Sequence, residues 1–192
     1  MMKLVQGVGI NDKSIKGNCN GKPTKEYALW TSMLTRVFST DSLSIRPTYK
    51  SCSVSDNFKQ FHLFHAWCQL QIGFTKIGYQ LDKDLLIKGN KLYSEDTCIF
   101  IPSDLNKLLT KATSIRGLLP IGVRKHGSSY QVRCSINGKR THVGTFDTPE
   151  LAFQAYKTFK EAHIKELAEL YKGSIDPRAY TALINYTVEP DD

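Results

Sequence analysis

The 192-residue chain lacks a Cys-x-x-Cys pair, and its five cysteines, Cys19, Cys52, Cys68, Cys98 and Cys134, are an odd number at irregular spacing. Zinc ribbons and disulfide scaffolds need paired, regularly spaced cysteines, so neither is supported and reduced, structural thiols are expected. Long apolar runs are also missing, because charge or glycine interrupts each one, and this removes the membrane-spanning helix from consideration. The first residues, MMKLVQGVGINDK, contain no apolar stretch of signal-peptide length, which makes a cytoplasmic protein the expectation. No heptad or other dimerisation stripe is evident, so the oligomeric state stays open. What the chain does hold is enough apolar and aromatic material for a core, 41% and 10%, in a length that suits one medium domain or two small ones.

Acidic residues are the minority, 18 against 26 Lys and Arg, for a formal charge of +8. The excess is unevenly spread. Residues 1–50 carry 8 basic and 3 acidic groups, and residues 51–110 balance at 6 each. Residues 111–148 carry Lys111, Arg116, Arg124, Lys125, Arg133, Lys139 and Arg140 against Asp147 alone, whereas residues 149–192 hold 5 basic and 8 acidic groups. A short segment with that density attracts a polyanion such as nucleic acid; by charge alone, a solvated basic face explains it equally well.

Periodicity predicts the elements. In residues 24–38, TKEYALWTSMLTRVF, a stripe of Trp30, Met33, Leu34 and Val37 at spacings of three and four marks an amphipathic helix ending near Ser39, followed by a loop. Arg46-Pro47 disfavours helix there, because the residue before proline is pushed toward extended geometry. DNFKQFHLFHAWCQL, residues 56–70, repeats the helical period with Phe58, Phe61, Phe64, His65 and Cys68 on or near one face. His62 and His65 stand one helical turn apart, and packing is the expected role of His65 among Phe61 and Cys68. A strand, a Gly89-Asn90 turn and a short helix starting at Ser94 are expected next, with Glu95 and Asp96 suiting the positive helix end. In the last third, IGVRK, YQVRCSI and THVGTF read as three β runs, with Asn137-Gly138 as a hairpin turn. Thr148-Pro149-Glu150 opens a long helix, whose expected sheet-facing positions are Leu151, Ala155, Phe159, Ala162, Leu167 and Leu170.

The segment GVRKHGSSYQVRCSINGKRTHVGTFDTPELAFQAY carries GVR, KR, GTFDT and AxxAY in the order of the Apetala-two/ethylene-response-factor type of DNA-binding domain, which it resembles over about residues 119–160. The resemblance implies a three-stranded antiparallel sheet that enters the major groove of double-stranded DNA with a helix behind it. By position it gives base and phosphate contacts to Arg124, His126, Arg133, Ser135, Arg140 and His142. Arginine can pair with guanine through two hydrogen bonds, while Lys125 and Lys139 suit phosphates. His142 stands where plant members usually carry tryptophan, and the HGSS loop is shorter and less basic, so their base preference does not transfer.

Upstream, YALWTSMLTRVF, RPTYKSCSV, LDKDLLIKGNKLYSEDTCIFIP and DLNKLL resemble successive blocks of phage-encoded HNH homing endonucleases, across about residues 1–110. That resemblance implies a strand, loop and helix around one divalent cation, Mg²⁺ or another, with Asp82 as metal-binding carboxylate and Asn90 as central asparagine. The Asp82-Lys83-Asp84 triplet itself adds Asp84 as a second carboxylate ligand, so that Asp82, Asp84 and Asn90 form the metal set and Asp82, Lys83, Asp84 and Asn90 the catalytic set. By spacing alone, a surface salt-bridge cluster explains the triplet better. Lys83 stands where the general-base histidine is expected, and Thr97 near the usual last Asn or His. A lysine with an ordinary pKa near 10.4 is protonated at neutral pH, so Lys83 is better suited to neutralising charge on the attacked phosphate than to taking a proton.

The expectation is thus an α+β protein: an N-terminal helical and ββα-metal, HNH-like module (1–110), a linker (111–119), and a three-stranded antiparallel sheet packed on one long helix, with a C-terminal helical extension (120–192). Its expected function is metal-dependent, site-directed cleavage of double-stranded DNA, away from membranes and in the cytoplasm of an infected bacterial host. Two alternatives accompany it. One is a sequence-specific DNA-binding protein with a degenerate, inactive nuclease module, acting as repressor or adaptor; the other is a protein that engages a phage or host factor through its basic surface.

Overall fold

A computed structural model describes residues 4–110, 119–136 and 138–192. The expected linker therefore lies outside the described residues except for Leu119, as does Asn137 of the expected hairpin turn. The chain is a mixed α+β protein that divides into two compact units, Met1–Phe100 and Ile101–Asp192. Among the described residues no helix is long and apolar enough to cross a membrane.

The first unit opens with a small antiparallel hairpin, β1 (Asn18–Cys19) and β2 (Lys22–Pro23), joined through Asn20 and Gly21 at φ +50° and +74°. Helix α1 (Lys25–Phe38) follows, capped by the Thr24 hydroxyl accepting from the Tyr27 N–H, and it buries the expected Trp30, Met33, Leu34 and Val37. The loop expected after Ser39 begins instead with a short helix, α2 (Thr40–Ile45), because the Ser39 side chain caps a new N-terminus at Ser42. A 3₁₀ turn (Pro47–Tyr49) leads to β3 (Ser53–Val54). The second long helix, α3 (Phe61–Leu70), starts five residues later than the periodicity places it, since Ser55 turns the chain by accepting from the Phe58 N–H. It buries Phe61, Phe64, Trp67 and Cys68, and His65 lies at the edge of that face.

The core of this unit is aromatic. Phe58 meets Trp67 with ring centroids 4.8 Å apart and Phe64 at 5.0 Å, Tyr27 meets Phe61 at 5.1 Å, and the buried Trp30 indole donates to the Phe58 carbonyl at 2.7 Å. Edge-to-face contacts of this kind contribute about 0.5–1.5 kcal/mol each beyond their burial. Strand β4 (Tyr79–Asp82) pairs with the strand that begins at Ile99, and β5 (Leu92–Tyr93) lies parallel to β3.

The short helix expected at Ser94 is absent. Residues 94–98 make a single turn, Cys98 N–H to Ser94 O at 3.0 Å, and the chain then extends into β6 (Ile99–Pro102). Two forces oppose the helix: the Thr97 hydroxyl folds back onto the Leu92 carbonyl at 2.7 Å, and Ile99, Phe100 and Ile101 are fully buried residues that favour extended backbone. Helix α4 (Ser103–Leu109) comes only afterwards.

The second unit carries the antiparallel sheet β7 (Val123–His126), β8 (Ser129–Ile136) and β9 (Lys139–Phe146), in the order 7-8-9 and packed on α5 (Pro149–Tyr171). Thr148 caps α5 and Pro149 occupies its first turn, as expected. The buried stripe of α5 is Ala152, Phe153, Tyr156, Lys160, Ile164, Leu167 and Ala168; of the six expected positions Leu167 is buried and Phe159 packs, half-buried, against the core under the sheet, whereas Leu151, Ala162 and Leu170 are exposed. The misreading has a physical source. Lys160 lies in the middle of the stripe with its ammonium 5.5 Å from the Tyr156 ring centre, and a lysine there disguises the apolar period.

Beneath β7, Gly122 has φ +77°, and a Cβ at that position would lie 2.1 Å from the Tyr156 ring, so only glycine fits. Helix α6 (Pro177–Ile184) packs on α5. The segment after it returns under the sheet: Val188 is fully buried and the Pro190 carbonyl accepts from the Ile121 N–H at 3.0 Å.

Candidate nucleic-acid interface

Strand alternation sorts the sheet into two faces. Val123, Val132 and Cys134 are buried toward α5, and their neighbours Arg124, Arg133 and Ser135 are exposed on the other side. The register then aligns the outer row: Arg124 opposes Gln131, Arg133 opposes His142, Ser135 opposes Arg140, and His126 opposes Ser129 across the tight Gly127-Ser128 turn. A bulge in β9 keeps this row intact. Val132 pairs with Gly144 but Arg133 pairs with His142, which leaves Val143 as the extra residue and restores His142 to the outer face. Lys125 and Lys139 have the opposite parity and stand exposed at strand ends, the margin of the face rather than its centre.

All eight side chains assigned to DNA from the sequence, Arg124, Lys125, His126, Arg133, Ser135, Lys139, Arg140 and His142, are exposed on this sheet. Arg124, Lys125, His126, Gln131 and Arg133 line a cleft of about 340 Å³. Among the described residues Arg124, Lys125, Arg133, Lys139 and Arg140 form no ion pair, whereas on α5 Lys157 is held by Glu161 at 3.2 Å. Unpaired like charges gathered in one place repel one another, and an anion laid across them relieves that repulsion.

No family model, curated protein or solved structure matches the chain.

Gln131 was not singled out in the sequence, yet it shares the outer face with Arg124 and Arg133. Its signal was available: it stands two residues before Arg133 on one strand, and period two places both on one side. A glutamine amide both donates and accepts, the pattern that adenine presents in the major groove.

The residues assigned to catalysis also come together, in the loop after β4, but as a network closed on itself. The Lys83 side chain is buried, and its ammonium donates to Asp84 Oδ1 at 2.6 Å and to the Asn90 carbonyl at 2.8 Å, with the Tyr93 ring centre 5.7 Å away. Asp82 Oδ1 accepts the Asp84 and Leu85 N–H groups at 2.9 and 2.7 Å. The Asn90 amide donates to the carbonyls of Lys83 and Leu92, at 2.7 and 2.6 Å, and accepts the Leu92 N–H. Burial pushes the Asp82 carboxyl above its ordinary range, against the lowering effect of those backbone donors.

A divalent ion held by Asp82, Asp84 and Asn90 would compete for the Asn90 oxygen, while the hydrogen bonds of the network engage only Oδ1 of each aspartate. The Asn90 side-chain oxygen faces a backbone N–H, Asp84 Oδ1 faces an ammonium, and that ammonium already supplies positive charge at the centre of the loop. The loop as arranged thus offers two carboxylates with the Asn90 amide engaged by backbone, and among the described residues no group of three or more His, Cys, Asp or Glu side chains could hold a metal ion. Thr97, near the position of a last ligand, is buried and bonded to Leu92 and Ser94. His62 and His65 stand apart from the loop, beside Asp12 and Glu26 respectively.

Proposed function

We propose that the chain binds double-stranded DNA through the outer face of β7, β8 and β9. The observation that carries this reading is the row of exposed cations without acidic partners on one face of a hydrogen-bonded sheet. Dimensions support it: three strands about 4.8 Å apart present a backbone about 10 Å across, within the roughly 12 Å width of the major groove. Arg124, Arg133 and Arg140 read guanine edges, Gln131 offers a match to adenine, and Lys125 and Lys139 contact phosphates from the margin. The loop network of Asp82, Lys83 and Asn90 favours a repressor or adaptor role, in which the first unit is a folded platform.

Fluorescence anisotropy with a labelled DNA duplex tests this, using the whole chain and the variant Arg124→Ala, Arg133→Ala, Arg140→Ala. Wild type binds with an affinity that falls as salt rises, and the triple variant loses at least a hundredfold, taking the low end of about 1–3 kcal/mol for each arginine. Equal affinity of the two proteins would defeat the reading.

A second reading is hydrolysis of DNA phosphodiester bonds by the first unit with a divalent cation, Mg²⁺ for instance. One observation favours it: the Asn90 amide and carbonyl bond back to Lys83, which holds the Asp82-Lys83-Asp84 triplet and Asn90 against one another across the loop. Supercoiled plasmid incubated with the chain and Mg²⁺ decides the matter. Nicking by wild type, lost in Asp82→Asn, supports cleavage; an intact plasmid with both proteins leaves binding alone.

A further inference from the structure

We propose that the β1–β2 hairpin and the segment leading into it form a second DNA contact, which grips the phosphate backbone through Lys13, Lys16 and Lys22. The proposal rests on the reading that the chain binds duplex DNA, and it concerns a different unit and different residues from the sheet.

Three features set this region apart from a scatter of surface lysines. The first is the state of the charges. Lys13, Lys16 and Lys22 are exposed and have no acidic partner among the described residues. Lys25, the next cation along, is engaged internally, donating to the Phe74 carbonyl and lying 4.7 Å from the centre of the Phe74 ring. The single acid in the segment, Asp12, is engaged as well: its Oδ1 accepts the Ser14 hydroxyl at 2.6 Å and N–H at 3.0 Å, and its Oδ2 is 3.4 Å from His62 Nδ1. Three lysines are thus presented outward while the carboxylate near them is engaged by Ser14 and faces His62.

The second feature is order. Ile10 is bridged to the start of α3, its N–H donating to the Lys59 carbonyl at 2.8 Å and its carbonyl accepting the Phe61 N–H at 2.9 Å. The hairpin closes through the Asn18–Pro23 and Cys19–Lys22 pairs, and Thr24 N–H donates to the Gly17 carbonyl at 2.8 Å. Gly17 lies so close to the Tyr27 ring that a Cβ there would approach it to 2.7 Å, which fixes the base of the hairpin against α1. Lysines carried on a segment anchored at both ends lose less freedom on binding than lysines on a loose tail.

The third is shape. Two two-residue strands with a two-residue tip make a narrow ribbon whose residues, Asn18 to Pro23, are all exposed. A ribbon of that kind can lie along a duplex backbone, and lysine ammonium groups suit phosphates as point charges without demanding a fixed geometry.

The test compares the salt dependence of binding to a labelled DNA duplex for four full-length proteins: wild type, Lys13→Gln/Lys16→Gln/Lys22→Gln, Lys13→Arg/Lys16→Arg/Lys22→Arg, and Arg124→Ala/Arg133→Ala/Arg140→Ala. Each phosphate that is no longer neutralised lowers the slope of log K against log salt by about 0.9, so the glutamine variant should fall by about 2.7 while the arginine variant keeps the wild-type slope. An unchanged thermal melt of the glutamine variant confirms that only charge was altered. If the glutamine variant keeps the wild-type slope while the sheet variant loses affinity, the hairpin proposal is overturned and the sheet reading survives. A fall with the glutamine variant and none with the sheet variant supports the hairpin and overturns the sheet. Absence of duplex binding by wild type overturns both, and a slope change seen with duplex RNA but not with DNA overturns the hairpin as a DNA contact.

Discussion

The outer face of β7–β9 and the loop after β4 use the same kinds of side chain to opposite ends. On the sheet, arginine and lysine stand in solvent without carboxylates beside them. In the loop, Lys83 is buried, with an aspartate at 2.6 Å and a carbonyl at 2.8 Å, and Asn90 is hydrogen-bonded to backbone through both ends of its amide. A charge that is already compensated holds structure in place, while an uncompensated one is available to a partner. Residue type alone did not separate the two cases; hydrogen-bond partners did.

The largest effect that would break this contrast is at Lys83. Lys83→Ala should destabilise the chain by about 2–3 kcal/mol, the upper range for leaving a buried acceptor without its donor, because the Asn90 carbonyl loses the ammonium while the exposed Asp84 rehydrates. Urea unfolding followed by circular dichroism measures it, and a loss below about 0.5 kcal/mol, the range of ordinary surface changes, would make Lys83 resemble the sheet cations. Next comes Arg133→Ala. It should weaken duplex binding by about 2 kcal/mol, within the range for an arginine that reads a base, and leave the unfolding midpoint unchanged; a shifted midpoint would show that Arg133 holds the sheet together.

The smallest is at Asp176, a compensated charge outside the loop. Its carboxylate caps α6 by accepting the Arg178 N–H at 2.7 Å and pairs with the Arg178 guanidinium at 2.8 Å. Burial alone would raise its pKa, but the hydrogen bonds and charge of Arg178 outweigh burial and hold it below the ordinary 3.8. A depressed carboxylate stabilises the fold above the unfolded-state pKa and loses that contribution as pH falls through the folded-state value. Asp176→Ala should therefore cost about 1 kcal/mol at pH 7, a typical loss for an N-cap, and the gap to wild type should narrow as pH drops below 3.8. A gap that stays constant with pH would assign the loss to helix geometry rather than charge.

Much of the fold was legible because local signals and burial agreed. The Trp30, Met33, Leu34 and Val37 stripe, the Thr148-Pro149 helix start and the alternation in β8 each state one period without interruption. Legibility failed where a tertiary demand overrode a local one. Ser94, Glu95 and Asp96 form a good helix start, but the next residues are Ile99, Phe100 and Ile101, which the interior holds extended. Along α5 the core accepts Lys160 among small and aromatic residues, a placement that no hydrophobic period announces. The candidate site divides the same way. Alternation exposed the sheet residues, and with them Gln131, whereas the bonding of Lys83 to the carbonyl seven residues ahead of it depends on a loop path that spacing does not encode.

The segment that runs back under the sheet bears on how the protein is made. Ile121 finds its acceptor at Pro190 and the core of the second unit closes around Val188. During synthesis, therefore, β7, β8 and β9 cannot gain their finished support until those residues have emerged from the ribosome. The aromatic core of the first unit has all its parts long before that moment. A nascent chain would thus hold a folded first half while its basic sheet is still incomplete, and any contact made through that sheet would follow translation rather than accompany it.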